Sequence, residues 1–99
     1  MNQCWISGPL RENATVFSET ALRFTVQADL MRFGEVIEMM IPCHMEMVSS
    51  ELADFLVSEG EGVIVEFCGE IFKESENLVI LVDPACFRIV RIPDGKDGD

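Results

Sequence analysis

Cys43 and His44 are adjacent, and their side chains are of the types that bind metals or carry out nucleophilic reactions. A structural zinc site needs about four ligands, so distant cysteines would have to converge on this pair. A Cys–His nucleophile needs a base aimed at the thiol and an acid that orients the base, and adjacent residues rarely aim at one point. We therefore interpret Cys43 and His44 as a thiol and a histidine in a loop, and predict no metal and no cofactor.

Glu66 and Glu70 lie four residues apart in an alternating segment, which places both on one face of a strand. Paired carboxylates can perform general acid–base catalysis, but two solvated acids on an exposed face are the commoner arrangement. The sequence therefore predicts a protein that is not an enzyme.

The charge balance opposes tight binding to polyanions. The chain carries 18 acidic residues against 7 lysines and arginines, a net charge of −11. Proteins that neutralise phosphates usually present a basic stripe. Arg23, Arg32 and Lys73 are the bases that we expect to be available for phosphate.

The chain is short enough for one domain, and its apolar fraction of 48% is that of a folded protein. Its four cysteines show no C-x-x-C spacing, and residues 1–14 lack a basic region followed by an apolar run. No apolar run approaches the length needed to cross a bilayer. These features predict a cytoplasmic protein that does not engage membranes and whose cysteines are reduced, mostly buried as small hydrophobes.

Alternation of apolar and polar residues predicts strands at residues 4–8, 22–28, 35–41, 63–72 and 78–82. Residues 11–20 are expected to form a loop or a weak strand around 16–17, and residues 86–92 an edge segment. Pro42 is expected to end the third strand, and Ser49 or Ser50 to cap a helix that runs to Val57. Gly60 or Gly62 is expected to take the left-handed conformation after the helix. The residues predicted to face the core are Leu22, Phe24, Val26, Ile37, Met39, Ile41, Val63, Val65, Phe67 and Ile71.

This order of elements predicts an all-β fold with one short helix. A five-stranded Greek-key barrel with a helix between strands 3 and 4 is the OB fold. A small α+β roll is the alternative, because periodicity determines element types better than topology. We expect the OB domain to cover residues 1–92 and a disordered acidic tail to cover residues 93–99.

Four segments, in this order, resemble the OB domain of bacterial single-stranded-DNA-binding proteins and their primosomal relatives. The sequence GPL at 8–10 matches the end of the family's first strand, and LRFTVQA at 22–28 is similar to its second strand. SSELADFLVSEGEG at 49–62 resembles the family's helix, and VIVEFCGEI at 63–71 its fourth strand, with one or two extra residues before Gly69. The resemblance spans residues 2–90. It implies a non-catalytic OB protein that acts around single-stranded DNA by aromatic stacking and a basic groove.

The outward face departs from that family's pattern. Val36 and Pro42 stand where the family's third strand has aromatic residues, and the family's long basic hairpin is here the acidic KESEN at 73–77. The residues predicted to face outward are Arg23, Thr25, Gln27, Val36, Glu38, Met40, Ile64, Glu66, Cys68, Glu70 and Phe72. If the protein binds DNA, we expect Arg23, Arg32, Phe72 and Lys73 to make the contacts, with weak, salt-dependent affinity.

A protein-interaction or oligomerisation module that has lost DNA binding is the alternative, and the outward charge favours it. Its interface would be an apolar patch rimmed by acids, in contact with a sister subunit or a basic protein. A homo-oligomer is expected under both hypotheses, because an OB barrel has strand edges and this one has apolar residues outside. Trp5 is expected either in the barrel or at this interface, and four methionines (Met39, Met40, Met45 and Met47) either in an adaptable surface or in core and loop packing. The interface residues predicted are Trp5, Val36, Met40, Ile64 and Phe72.

Overall fold

The computed structural model describes residues 3–94, apart from the side chains of residues 30–32. Its strands are β1 (Gln3–Pro9), β2 (Thr15–Val16), β3 (Leu22–Arg32), β4 (Glu35–Met45), β5 (Ile64–Glu74), β6 (Asn77–Val82) and β7 (Arg88–Arg91). Helix α1 (Ser50–Glu59) connects β4 to β5, and a short 3₁₀ helix (Pro84–Cys86) precedes β7. Most of the predicted tail, from residue 95 onward, lies outside the described residues.

The strands form one curled sheet in the order β1-β5-β6-β4-β3-β2, and β7 also pairs with β5. Strands β4 and β6 are parallel, and the other pairs are antiparallel. The predicted all-β OB fold is confirmed, with the helix between the third and fourth of its five main strands. The sheet is not closed, however. It includes two short strands, β2 where a loop or a weak strand was expected, and β7 within the expected edge segment at 86–92.

Strands β1 and β3 approach each other at the open seam of the sheet. An isolated bridge joins Leu10 to Val26, and the Arg11 N–H donates to the Thr25 carbonyl at 2.8 Å. A Cβ on residue 8 would collide with the carbonyl oxygen of Gln27. Gly8 is therefore required where β1 crosses β3, which explains the glycine in the GPL segment.

Strand β4 continues through Pro42 to Met45, so the predicted end of this strand at the proline is wrong. Thr25, the partner of Pro42, uses its carbonyl for Arg11 on the far side of β3. Because the N–H and C=O of one strand residue point to the same side, this antiparallel pair exchanges no hydrogen bonds. Pro42 therefore deprives β3 of no donor, and β6 joins β4 only from Cys43 onward.

The hydrophobic core lies between the curled sheet and α1. Leu56, in the helix, is fully buried, and Ser49 caps α1 by accepting from the Leu52 N–H at 3.2 Å. Gly62, rather than Gly60, takes the left-handed conformation, with φ of 83°. The predicted inward residues that are buried are Leu22, Phe24, Val26, Val63, Val65 and Phe67. Phe24, Phe67 and Phe87 pack with ring centroids 6.0 Å apart.

Two two-stranded ribbons extend beyond this core. The β3–β4 ribbon (residues 28–40) and the β5–β6 ribbon (residues 71–78) pair with no third strand among the described residues. Ile37, Met39 and Ile71 were predicted to be core, but their side chains are 44%, 42% and 43% exposed. The prediction placed these residues on the correct strand face, the one that carries Phe24 and Val65. They are exposed because the strands extend beyond the end of the core.

Cys68 was predicted to face outward, and it is only 5% exposed. Its sulfur forms a disulfide with Cys86 of the 3₁₀ helix, and that segment covers this part of β5. The prediction that the cysteines are reduced is therefore wrong for this pair. Cys4 and Cys43 carry free thiols.

Within residues 3–94, no helix has the length and apolar character required to span a bilayer.

Candidate nucleic-acid interface

Arg23 lies near the start of β3, opposite His44 of β4, on the outward face as predicted. Its guanidinium is held on three sides. The two terminal nitrogens donate to the two carboxylate oxygens of Glu74 at 2.8 and 2.7 Å, and Nε donates to His44 Nδ1 at 2.9 Å. The guanidinium carbon lies 4.2 Å from the centroid of the Phe17 ring. This side chain thus combines a bidentate ion pair with a cation–π contact.

The Arg23–Glu74 pair favours the charged forms of both side chains. The hydrogen bonds from Arg23, and then its positive charge, hold the pKa of the Glu74 carboxyl below its ordinary value. The hydrogen bond to Glu74 likewise raises the pKa of Arg23. Glu74 lies at the end of β5, so this pair also ties the β5–β6 ribbon to the start of β3.

His44 is buried beneath this network. Because Nδ1 accepts from Arg23, the ring proton of the neutral imidazole is on Nε2, which donates to Glu46 at 2.7 Å. The Phe17 ring meets the imidazole edge-on, with centroids 4.9 Å apart. His44 therefore supports Arg23 from below, in a strand rather than in the predicted loop.

Cys43 points into the core, on the other side of β4 from His44. Burial, and to a smaller extent the neighbouring Cys4, raises the pKa of the Cys43 thiol to about 12. A thiol this basic is a poor nucleophile at neutral pH. Adjacent in sequence, Cys43 and His44 do not form one site.

Cys68, Asp83 and Cys86 form a second cluster, in which the possible ligand atoms lie within 4.8 Å of one another. The disulfide already joins the two sulfurs, and one Asp83 carboxylate oxygen accepts from the Ala85 N–H at 2.9 Å. Metal ligation needs free thiolates. The cluster is therefore a structural link between β5 and the 3₁₀ helix.

The other predicted DNA contacts are less enclosed than Arg23. Phe72, 47% exposed, and Lys73 are neighbours in the β5–β6 ribbon, paired with Val79 and Leu78. The Arg32 side chain is outside the described part of the structure. The structure thus places Lys73 next to Glu74, in the same ribbon that meets Arg23.

The residues predicted for a protein interface do not form one patch. Val36 and Met40 are exposed on the β3–β4 ribbon, and Trp5, 69% exposed, lies on β1 instead of inside the barrel. Ile64 is half-buried at the start of β5, eight positions from Phe72, which corresponds to roughly 26 Å along the strand. The structure therefore separates Ile64 from the ribbons.

Sequence reasoning missed Phe17 and Glu74, the two residues that hold Arg23 from outside. Phe17 belongs to an irregular segment after β2, where no periodicity marks its orientation. Glu74 is 51 residues from Arg23 in the chain, so only the folded ribbon brings them together. The acids in KESEN at 73–77 were the available signal for Glu74, but they did not indicate which cation it would pair with.

No protein-family model matches the sequence, and no match was found among curated proteins. Solved structures do match. PriB from Ralstonia solanacearum superimposes with a TM-score of 0.67 at 12% identity, covering 92% of this chain and 99% of that one. Rim1, a mitochondrial single-stranded DNA binding protein from S. cerevisiae, gives 0.65 at 11% identity, covering 93% and 98%. A small single-stranded DNA binding protein from Mycoplasma pneumoniae gives 0.59 at 11% identity, covering 92% and 86%. At these identities the similarity establishes the fold.

Proposed function

We propose that this protein is a non-catalytic OB-fold protein that acts around single-stranded DNA, which it binds weakly and in a salt-dependent way. The observation that carries the proposal is the whole-chain similarity to Rim1 and to the Mycoplasma protein, both described as single-stranded DNA binding proteins. The exposed ring of Phe72 supports it, because an accessible aromatic side chain on a strand offers a surface on which a base can stack.

The ion pairs explain why the affinity should be low. Of the described arginines, Arg23 is paired with Glu74, and Arg88 with Glu66 at 2.8 Å. A phosphate must therefore compete with a carboxylate at these two positions. The net charge of −11 adds a repulsion that salt screens.

The salt dependence can be estimated from the number of phosphate contacts. Contacts from Arg23, Arg32 and Lys73 would give a slope of about −2 in log affinity against log salt, at about 0.7 per contact to a single strand. Between 50 and 200 mM salt, the affinity should then fall roughly 20-fold.

The test is fluorescence anisotropy of a labelled oligo-dT at 50 and at 200 mM salt. Phe72→Leu should weaken binding about fivefold or more, because it keeps an apolar side chain and removes the ring on which a base stacks. Lys73→Gln should reduce the salt slope by about 0.7, whereas Arg91→Gln on β7 serves as the charge-matched control. If the wild-type protein shows no binding at tens of micromolar in low salt, the proposal is wrong.

A protein-interaction or oligomerisation module is the second candidate, and the exposed ribbons favour it. Val36 and Met40 lie on one face of the β3–β4 ribbon, and Ile37 and Met39 on the other, and all are at least 42% exposed. Apolar side chains on both faces are typical of a segment that another chain covers, either a second copy or a basic protein. Met40→Glu should shift a homo-oligomer towards monomer in sedimentation velocity, whereas a wild-type monomer at all concentrations would exclude self-association.

We further propose that the protein works in the cytoplasm. Disulfides such as Cys68–Cys86 are uncommon there. Trapping thiols in freshly lysed cells would show whether this disulfide exists in the compartment where the protein works.

A further inference from the structure

The surroundings of Arg23 have the parts of a nucleotide site. The guanidinium offers two parallel N–H donors, and its back is supported by the Nε bond to His44 at 2.9 Å. Bidentate arginine binds phosphate and carboxylate oxygens in the same fork geometry. The site is preorganised for a phosphate.

Phe17 supplies an aromatic surface beside that fork. Arg23 covers one side of the ring at 4.2 Å, and His44 meets it edge-on. The ring is nevertheless 56% exposed, so it presents open surface on which a base could stack. A cation and an open ring in contact are the two elements that bind one nucleotide of a single strand.

Glu74 now occupies the phosphate position, with carboxylate oxygens 2.8 and 2.7 Å from the two nitrogens. It belongs to the acidic turn region of the β5–β6 ribbon, and its side chain is 46% exposed. Exposed ion pairs are weak, so an incoming phosphate can displace this carboxylate without unfolding the protein.

We propose that Arg23 and Phe17 form a binding site for one nucleotide of single-stranded DNA, and that Glu74 is its intramolecular occupant. The phosphate takes the place of the Glu74 carboxylate on Arg23, and the base stacks on Phe17. This inference rests on the proposed function, since it names where the strand is held and why binding is weak. The acidic ribbon thus lowers the affinity locally, through one contact, beyond the effect of net charge.

The decisive comparison is Glu74→Gln against Glu76→Gln in the oligo-dT anisotropy assay. Both substitutions remove one negative charge from the same ribbon, but only the first removes the carboxylate that pairs with Arg23. An exposed ion pair of this kind lowers the population of unpaired Arg23 roughly two- to fivefold. Glu74→Gln should therefore bind the oligo-dT about two- to fivefold more tightly than Glu76→Gln. Adding Arg23→Gln should abolish the gain, and Phe17→Leu should reduce it.

The outcomes separate this inference from the proposed function. Equal affinities of Glu74→Gln and Glu76→Gln, with a wild-type protein that binds, would overturn the inference and leave the DNA role in place. Binding by Glu74→Gln but not by the wild-type protein would support the site and overturn the role of the unmodified protein. Absence of binding in every variant would overturn both. Circular dichroism checks that each variant folds. If Glu74→Gln does not fold, Glu74→Asp replaces it, because aspartate keeps the charge but is too short to hold Arg23 in the same way. Its affinity should lie between that of the wild-type protein and that expected without the ion pair.

Discussion

Reduction of the Cys68–Cys86 disulfide should lower the stability of the protein substantially without abolishing the fold. The two cysteines are 18 residues apart, so the bond closes a short loop in the unfolded chain. The chain-entropy relation for a loop of this length gives about 3 kcal/mol at 25 °C. A small domain is typically stable by about 5–15 kcal/mol, so the reduced protein should still be folded at room temperature.

The assay is urea unfolding with and without a phosphine reductant. At a denaturant slope of about 1–3 kcal/mol per M, the loss moves the midpoint down by about 1–3 M urea. The double variant Cys68→Ala/Cys86→Ala should unfold at the lower midpoint in both conditions. Cys4→Ala, which removes a free thiol, should retain the full response to reduction.

Counting thiols gives the result that would refute this reasoning. In denaturant without reductant, two cysteines, Cys4 and Cys43, should be alkylated, and four after reduction. Four alkylated cysteines in the unreduced protein would show that the bond does not form. An unchanged urea midpoint after verified reduction would show that it forms but does not constrain the unfolded chain.

Three further predictions concern single groups. Gly8→Ala should lower the free energy of unfolding in urea by about 2–4 kcal/mol, because a Cβ there forces β1 away from β3. Gly34→Ala meets open space and should lower it only by the left-handed backbone penalty of about 1–2 kcal/mol. Equal losses would contradict the close approach of β1 to β3. Since Arg23 lowers the pKa of Glu74, their pair stabilises the fold above the ordinary carboxyl pKa and loses that contribution as pH falls through the lowered value; carboxyl NMR should show the pKa of Glu74 rise in Arg23→Gln, and an unchanged titration would refute the pairing. Cys43, with its pKa raised to about 12, should resist iodoacetamide at pH 8 in the native protein and react in urea; equal rates in the two states would contradict its burial.

Local patterns were enough to predict the main elements. The alternation through Leu22, Phe24 and Val26 identified both the strand and its inward face, and the candidate cap at Ser49 or Ser50 identified the start of the helix. Such signals are short in range, because a strand's faces and a helix's cap depend on neighbours within a few residues. Together with the order of the elements, they led to the OB fold, which the structural comparisons support.

The site depended on contacts that no local pattern contains. The sequence marked Arg23 as an outward cation, but Glu74, 51 residues away, and Phe17, in an irregular segment, reach it only in the folded chain. Composition and periodicity by themselves determined a small acidic β-protein with its core face and helix, since these follow from side-chain spacing. Tertiary structure alone decided which strands extend beyond the core, that Cys68 bonds to Cys86, and that Glu74 of the acidic ribbon pairs with Arg23. Those outcomes depend on how far each strand extends and where the sheet curls, which are properties of the assembled fold.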